Sequence, residues 1–214
     1  FRAQVTDAAG NSAVSNELKV EVDTAAPGRP TITAIDADSG TSGDRLTNDS
    51  TPVLTVTGEA GGQLVLGQNG APLASGWSVE ETAPGTYRLT VTAALANGDY
   101  GVVLLDAAGN FVQPLGADGG TFSIDAAAPA PGTLGLLGYE DLGVSTTDLI
   151  SSDNSFDLNV TGTEPGSTVA FEQSGDGVNW VPATAVQSGL QDGVYRFRAQ
   201  VTDAAGNSAV SNEL

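Results

Sequence analysis

Aspartate and asparagine stand at fixed spacings along this 214-residue sequence, and those spacings bound its chemistry. Asp-Ala-Ala-Gly-Asn occurs at Asp7 to Asn11, at Asp106 to Asn110 and at Asp203 to Asn207. Two longer strings carry acids every few residues: Asp36, Asp38, Asp44 and Asp49 in one, Glu140, Asp141, Asp148 and Asp153 in the other. Asp23 and Asp125 each open an alanine-rich string that closes on proline, at Pro27 and Pro129. Carboxylates and amide oxygens without nitrogen or sulfur donors suit a hard cation. Calcium accepts about 6–8 oxygens at roughly 2.3–2.6 Å. The bland account of the same residues is that Asp and Asn cap turns and keep loops wet.

Composition narrows the choice. The chain has no His, no Cys and no Met, which removes Ser-His-Asp and Cys-His catalysis, thiolate or imidazole zinc sites, disulfides and haem ligation. Twenty-six acidic against 7 basic residues give a net charge of −19, which opposes binding to nucleic acid or an anionic membrane. Hydrophobic residues make up 40% of the chain, enough for a core, so this is not a disordered acidic tail. Other sites fail on spacing. Asp36 to Gly40 begins like a helix-loop-helix calcium loop but lacks the later Gly and the closing Glu. Adjacent Glu80 and Glu81 on a strand would face opposite sides, so they cannot flank one glycosidic bond. No catalytic residue is expected. Trp77 and Trp180 are expected to pack or guard an edge rather than stack on sugar.

Repeats set the architecture. Residues 1–18 return unchanged at 197–214, and weaker similarity recurs at about half that period. The sequence reads as residues 1–23 closing a preceding unit, a unit at 24–125, and a unit at 126–214 that lacks its last strand. Phe1 opens directly into an alternating strand pattern, so no signal peptide is expected and the chain reads as a window from a longer array. Short runs rich in Val, Thr, Leu and Tyr alternate with Gly, Pro, Asn and Asp clusters, which predicts strands and no helix. Strands are expected near 31–35, 53–58, 63–67, 76–82, 86–93, 99–106 and 120–125. The second unit repeats them near 134–138, 156–162, 167–173, 178–182, 184–188, 194–202 and 209–214. Lys19 to Asp23 reads as one more, closing the preceding unit. The fold class that follows is all-β: tandem immunoglobulin-like sandwiches joined end to end, without disulfides. Tyr100 and Tyr195 sit where that fold ties a core ring to a loop.

Taken in order, these motifs resemble the bacterial Ig-like extender repeats of giant type-I-secreted RTX and biofilm adhesins. The joint Asp23-Thr24-Ala25-Ala26-Pro27 matches that family's Asp-Thr-Thr-Ala-Pro, and Asp125 to Pro129 matches it less fully. Asp141 to Asp153 follows the family's Asp-x-Gly-x-Ser loop closely. Asp38 to Asp49 follows it with Leu46 in place of Ile. The resemblance implies a bacterial cell-surface, extracellular stalk whose joints are often stiffened by Ca²⁺.

If units stack end to end, Asp7, Asn11, Asp23, Asp36, Asp38, Asp44 and Asp49 are expected to meet at one joint. Asp106, Asn110, Asp125, Glu140, Asp141, Asp148 and Asp153 would meet at the next, each group repelling itself unless a cation is present. The expected function is a spacer that projects a distal adhesive domain, with neighbouring repeats of the same chain as its partners. The alternative is a module that itself contacts a glycan or another cell-surface protein. Because the second unit lacks its closing strand and residues 19–23 are a spare copy, head-to-tail strand complementation between copies is also expected.

Overall fold

The structure, a computed structural model, describes residues 1–112 and 119–214. Strands form where branched and aromatic residues alternate with polar ones, and glycine or Asx turns end them. At the start, β1 (Gln4–Thr6) and β2 (Ser12–Val14) make a hairpin on their own. The next stretch holds β3 (Thr31–Ile35), β4 (Leu46–Thr47), β5 (Val53–Thr57), β6 (Gln63–Gln68), β7 (Ala71–Pro72), β8 (Trp77–Ala83), β9 (Thr86–Val91), β10 (Gly98–Leu105) and β11 (Thr121–Ile124). The last holds β12 (Thr133–Leu137), β13 (Phe156–Thr161), β14 (Thr168–Ser174), β15 (Val181–Ala183), β16 (Val186–Gln187), β17 (Arg196–Thr202) and β18 (Ser208–Val210).

The middle stretch is a sandwich of β3-β5-β9-β8 against β4-β11-β10-β6-β7. All pairings are antiparallel except β4 with β11, which run parallel with Ser123 opposite Leu46 and Ile124 opposite Thr47. Inward residues of both sheets interdigitate: Leu54, Val56, Tyr87 and Leu89 from one, Leu66, Leu104, Phe122 and Ile124 from the other. The last stretch sets β12-β13-β16 against β15-β14-β17-β18 around a smaller core of Leu134, Leu158, Phe197 and Ala199. The protein is therefore all-β, two Ig-like sandwiches in tandem. Tyr100 donates its hydroxyl to the Ala96 carbonyl at 2.9 Å and Tyr195 to that of Gln191 at 3.1 Å, each four residues back, as the corner reading expected.

Two details differ from the sequence reading. The short β4 and β7 were not foreseen, since two-residue strands carry no alternation to read. Lys19 to Asp23 forms no strand, and Val20 and Val22 are 55% and 82% exposed. A strand needs a neighbour to satisfy its backbone, and among the described residues no strand pairs with this one.

Candidate functional site at the joint between the units

The three Asp-Ala-Ala-Gly-Asn loops share one internal geometry. In each, the Asp carboxylate accepts the Asn backbone N–H at 2.8–2.9 Å and the Asn side-chain N–H at 2.8–2.9 Å. The Asp fixes the rotamer of the Asn, and the second amide N–H is left free to reach outward. It reaches the linker: Asn110 donates to the Asp23 carbonyl at 3.1 Å, and Asn207 to the Asp125 carbonyl at 2.8 Å. The linker aspartates turn their carboxylates inward, accepting from Ala25 and Ala127 N–H two residues on. Asn97 also donates to the Asp125 carboxylate at 2.7 Å.

This corrects the expected grouping. The loop lies at the entrance of its own unit, so Asn110, not Asn11, meets Asp23. Strand β3 carries the chain from that entrance to the far end, which puts the Asp36–Asp49 loop at the following joint. There Ser39 donates to the Ala205 carbonyl at 2.5 Å. Gly40, at φ +69°, lies so close to the Ala204 carbonyl oxygen that a Cβ would overlap it, and a Cβ on Gly206 would stand 2.9 Å from the Gly40 nitrogen. Ala205 is 1% exposed, whereas its counterparts Ala9 and Ala108 are exposed. The joint is thus a seam of backbone against backbone. Sequence reading missed Ser39, Asp203, Ala205 and Asn207; for the last three the third copy of the loop motif was the available signal.

The acidic loops repeat each other's turns, although the stretch from Asp141 to Asp153 is one residue longer than that from Asp38 to Asp49. Asp44 accepts from Leu46 N–H and Asp148 from Ile150 N–H; Asp49 accepts from Thr51 and Asp153 from Ser155. Thr47 and Ser151 hydroxyls donate to the Ala37 and Glu140 carbonyls. Arg45 and Leu149, at φ 64° and 59°, hold the left-handed turn that L side chains avoid. Asp38 and Asp141 each spend one carboxylate oxygen on their own loop, accepting from Gly43 and Leu149 N–H. The other oxygen, Oδ1, is buried in both and has no hydrogen-bond partner. Asp36 faces Arg88 instead, at 3.8 Å. Among the described residues no three acidic side chains are gathered into a ready metal cage, and Asp7 and Asn11 engage only each other's loop.

The Asn110 amide, and behind it the N–H groups of its own loop, hold the Asp106 carboxyl below the usual carboxylate range. Because the folded value is the lower one, the loop's contribution is complete above the unfolded carboxylate pKa of about 3.9 and fades as pH falls through the depressed folded value. The Asn110 side-chain amide resonance should therefore hold steady through pH 4 and move only in stronger acid. An inflection at the ordinary carboxylate pKa would remove the anchoring role.

Fold and seam together define a class: tandem Ig-like modules, a kind typically structural rather than enzymatic. Within it, residues 27–126 match the family model described as bacterial Ig-like domain, a domain common on surface proteins. No curated protein matches the chain. A crystal structure of three consecutive titin domains is similar over 99% of this chain and 71% of that one, at 13% identity and TM-score 0.51. An I-band titin fragment covers 86% and 64% at 14% identity and TM-score 0.33. Dimeric latent PorU from Porphyromonas gingivalis covers 87% and 20% at 18% identity and TM-score 0.27. At such identities the likeness concerns the fold alone. No helix among the described residues is long and apolar enough to cross a membrane.

Proposed function

We propose that this chain is a length of stalk: extender repeats of a bacterial cell-surface adhesin that hold a distal adhesive domain away from the cell. The observation that carries this reading is the seam. Ser39, Gly40, Asp125, Ala205 and Asn207 interlock the far end of one unit with the entrance of the next, and Asn110 with Asp23 repeats half of that lock. A module made to bind a ligand with one face has no need of a fixed angle to its neighbour; a spacer does. The glycan-binding alternative has less support. Trp77 donates to the Leu73 carbonyl and packs on the core, and Trp180 lies under the Arg198 guanidinium at 4.1 Å.

The finer part of the proposal is calcium. The orphaned Oδ1 atoms of Asp38 and Asp141 fit a cation, since a buried carboxylate oxygen without a donor is costly and two loops repeat it. The ion would supply positive charge to Asp38 and Asp141, with Asp44, Asp49, Asp148 and Asp153 within the same loops. Extracellular modules bind Ca²⁺ at Kd about 10⁻⁴–10⁻³ M, so a millimolar concentration adds on the order of 1 kcal/mol per site. Calcium titration should release heat and raise the melting temperature, and Asp38→Asn with Asp141→Asn should abolish both. Absence of heat and of any melting shift would end the calcium reading. Glycan-array binding by the chain would favour the alternative function.

A further inference from the structure

The linker between the units is gripped by an exposed residue of labile chemistry, Asn97. Asp125 closes the first unit, its N–H donating to the Thr47 carbonyl at 2.9 Å. Asn97 then holds the departing chain with both ends of its side-chain amide. Nδ2 donates to the Asp125 carboxylate at 2.7 Å, and Oδ1 accepts the Ala126 N–H at 2.9 Å. From the second unit Asn207 donates to the Asp125 carbonyl at 2.8 Å. Asp125 is held from both sides, and Asn97 supplies the first unit's side-chain hold.

The residue after Asn97 is glycine, and the backbone requires it. Gly98 has φ +141°, and a Cβ there would stand 3.2 Å from the Gln68 amide nitrogen. An asparagine followed by glycine is the pair most prone to lose its side-chain amide, because no side chain shields the glycine nitrogen. The Gly98 nitrogen attacks the Asn97 Cγ, and the bond from Cγ to Nδ2 breaks. Nδ2 leaves as ammonia, carrying the proton given up by Gly98, and a cyclic imide remains. Water adds to either imide carbonyl, giving aspartate or, with the main chain rerouted through Cγ, isoaspartate.

We propose that Asn97 is a deamidation site at which this chemistry unlatches the joint. The aspartate product faces the Asp125 carboxylate where the amide donated: a donor has become a second acceptor, and like charges repel. The isoaspartate product lengthens the main chain where β10 begins. The intact latch guards itself. Its amide must leave the linker to reach Gly98, and Gly98 is paired with Ile124 in the sheet. Deamidation therefore follows opening of the joint, and a joint that opens often loosens irreversibly. The unlatching rests on the fixed joint of the stalk reading; the guarded site does not.

The chain carries its own clock for the test. Asn69 precedes Gly70 at the exposed tip between β6 and β7, and its side chain holds no hydrogen bond among the described residues. In chains kept warm at mildly alkaline pH and mapped by peptide mass, reaction at Asn97 relative to Asn69 should rise about ten-fold in Asp125→Ala. Asn97→Asp should broaden the distance between spin labels in the two units and speed exchange at the Ala126 and Ala127 amides about ten-fold. Asn97→Asp combined with Asp125→Asn exchanges amide and carboxylate, restores the donor and should return both readouts to those of the unmodified chain. An unchanged ratio in Asp125→Ala would overturn the guarded site. Narrow distributions in both the unmodified and the Asn97→Asp chains would overturn the unlatching alone. A broad one in the unmodified chain would sink the fixed joint, and the unlatching with it.

Discussion

Gly40→Val is expected to unlock the two units without unfolding either. A Cβ at this position overlaps the Ala204 carbonyl oxygen, and the obstacle is backbone, which cannot turn aside as a side-chain tip would. The substitution also forces a branched side chain into a left-handed conformation, at about 1–2 kcal/mol. Gly43→Val separates the two effects, because Gly43 has φ +90° in the same loop but open space around its Cβ position. Both variants should lose similar stability in the first unit. Only Gly40→Val should separate Ser39 from Ala205, forfeiting about 0.5–1.5 kcal/mol for that bond and exposing Ala205 to water. Spin labels placed in the two units should then report a broadened distance distribution for Gly40→Val, against a narrow one for the unmodified chain and for Gly43→Val. Equal distributions in all three would mean that the seam does not set the angle, and the stalk reading would lose its support.

The strands were legible because their signal is local. Arg196 to Thr202 alternates so plainly that Phe197, Ala199 and Val201 can be assigned to the core from types alone, and they are 4%, 0% and 0% exposed. The corner tyrosines were legible for a similar reason: a ring and the carbonyl four residues behind it are close in sequence. The joint was not, because it depends on which end of the sandwich each loop occupies. Reading the Asp-Ala-Ala-Gly-Asn loop beside the last strand suggested an exit. The chain instead reverses there, at the entrance, and its Asn reaches back across 87 residues to Asp23. Ser39 had no signature at all, being one serine in an acidic loop. The orphaned oxygens of Asp38 and Asp141 were visible in sequence only as two members of an acidic set; burial singled them out.

Phe122→Ala should melt one unit and spare the other. The ring is 1% exposed in a core shared with Tyr87, Leu89 and Tyr100, and truncating a buried phenylalanine costs about 3–5 kcal/mol. For a sandwich of this size that corresponds to a fall in melting temperature on the order of 15–30 °C. Leu134, Leu158, Phe197 and Ala199 form a separate cluster with no residue in common, so the second unit should keep its own transition. It should not keep it unchanged. Losing the first unit takes away the Asp125 carbonyl and the Ser39 hydroxyl, and the loop around Ala205 and Asn207 should exchange its amide hydrogens faster before its own unit unfolds. Two transitions, with faster exchange at that loop, are what a stalk of separately folded but mechanically coupled units requires. A single shared transition would mean that the seam joins both sandwiches into one cooperative body. The load would then be carried by the pair rather than by the unit.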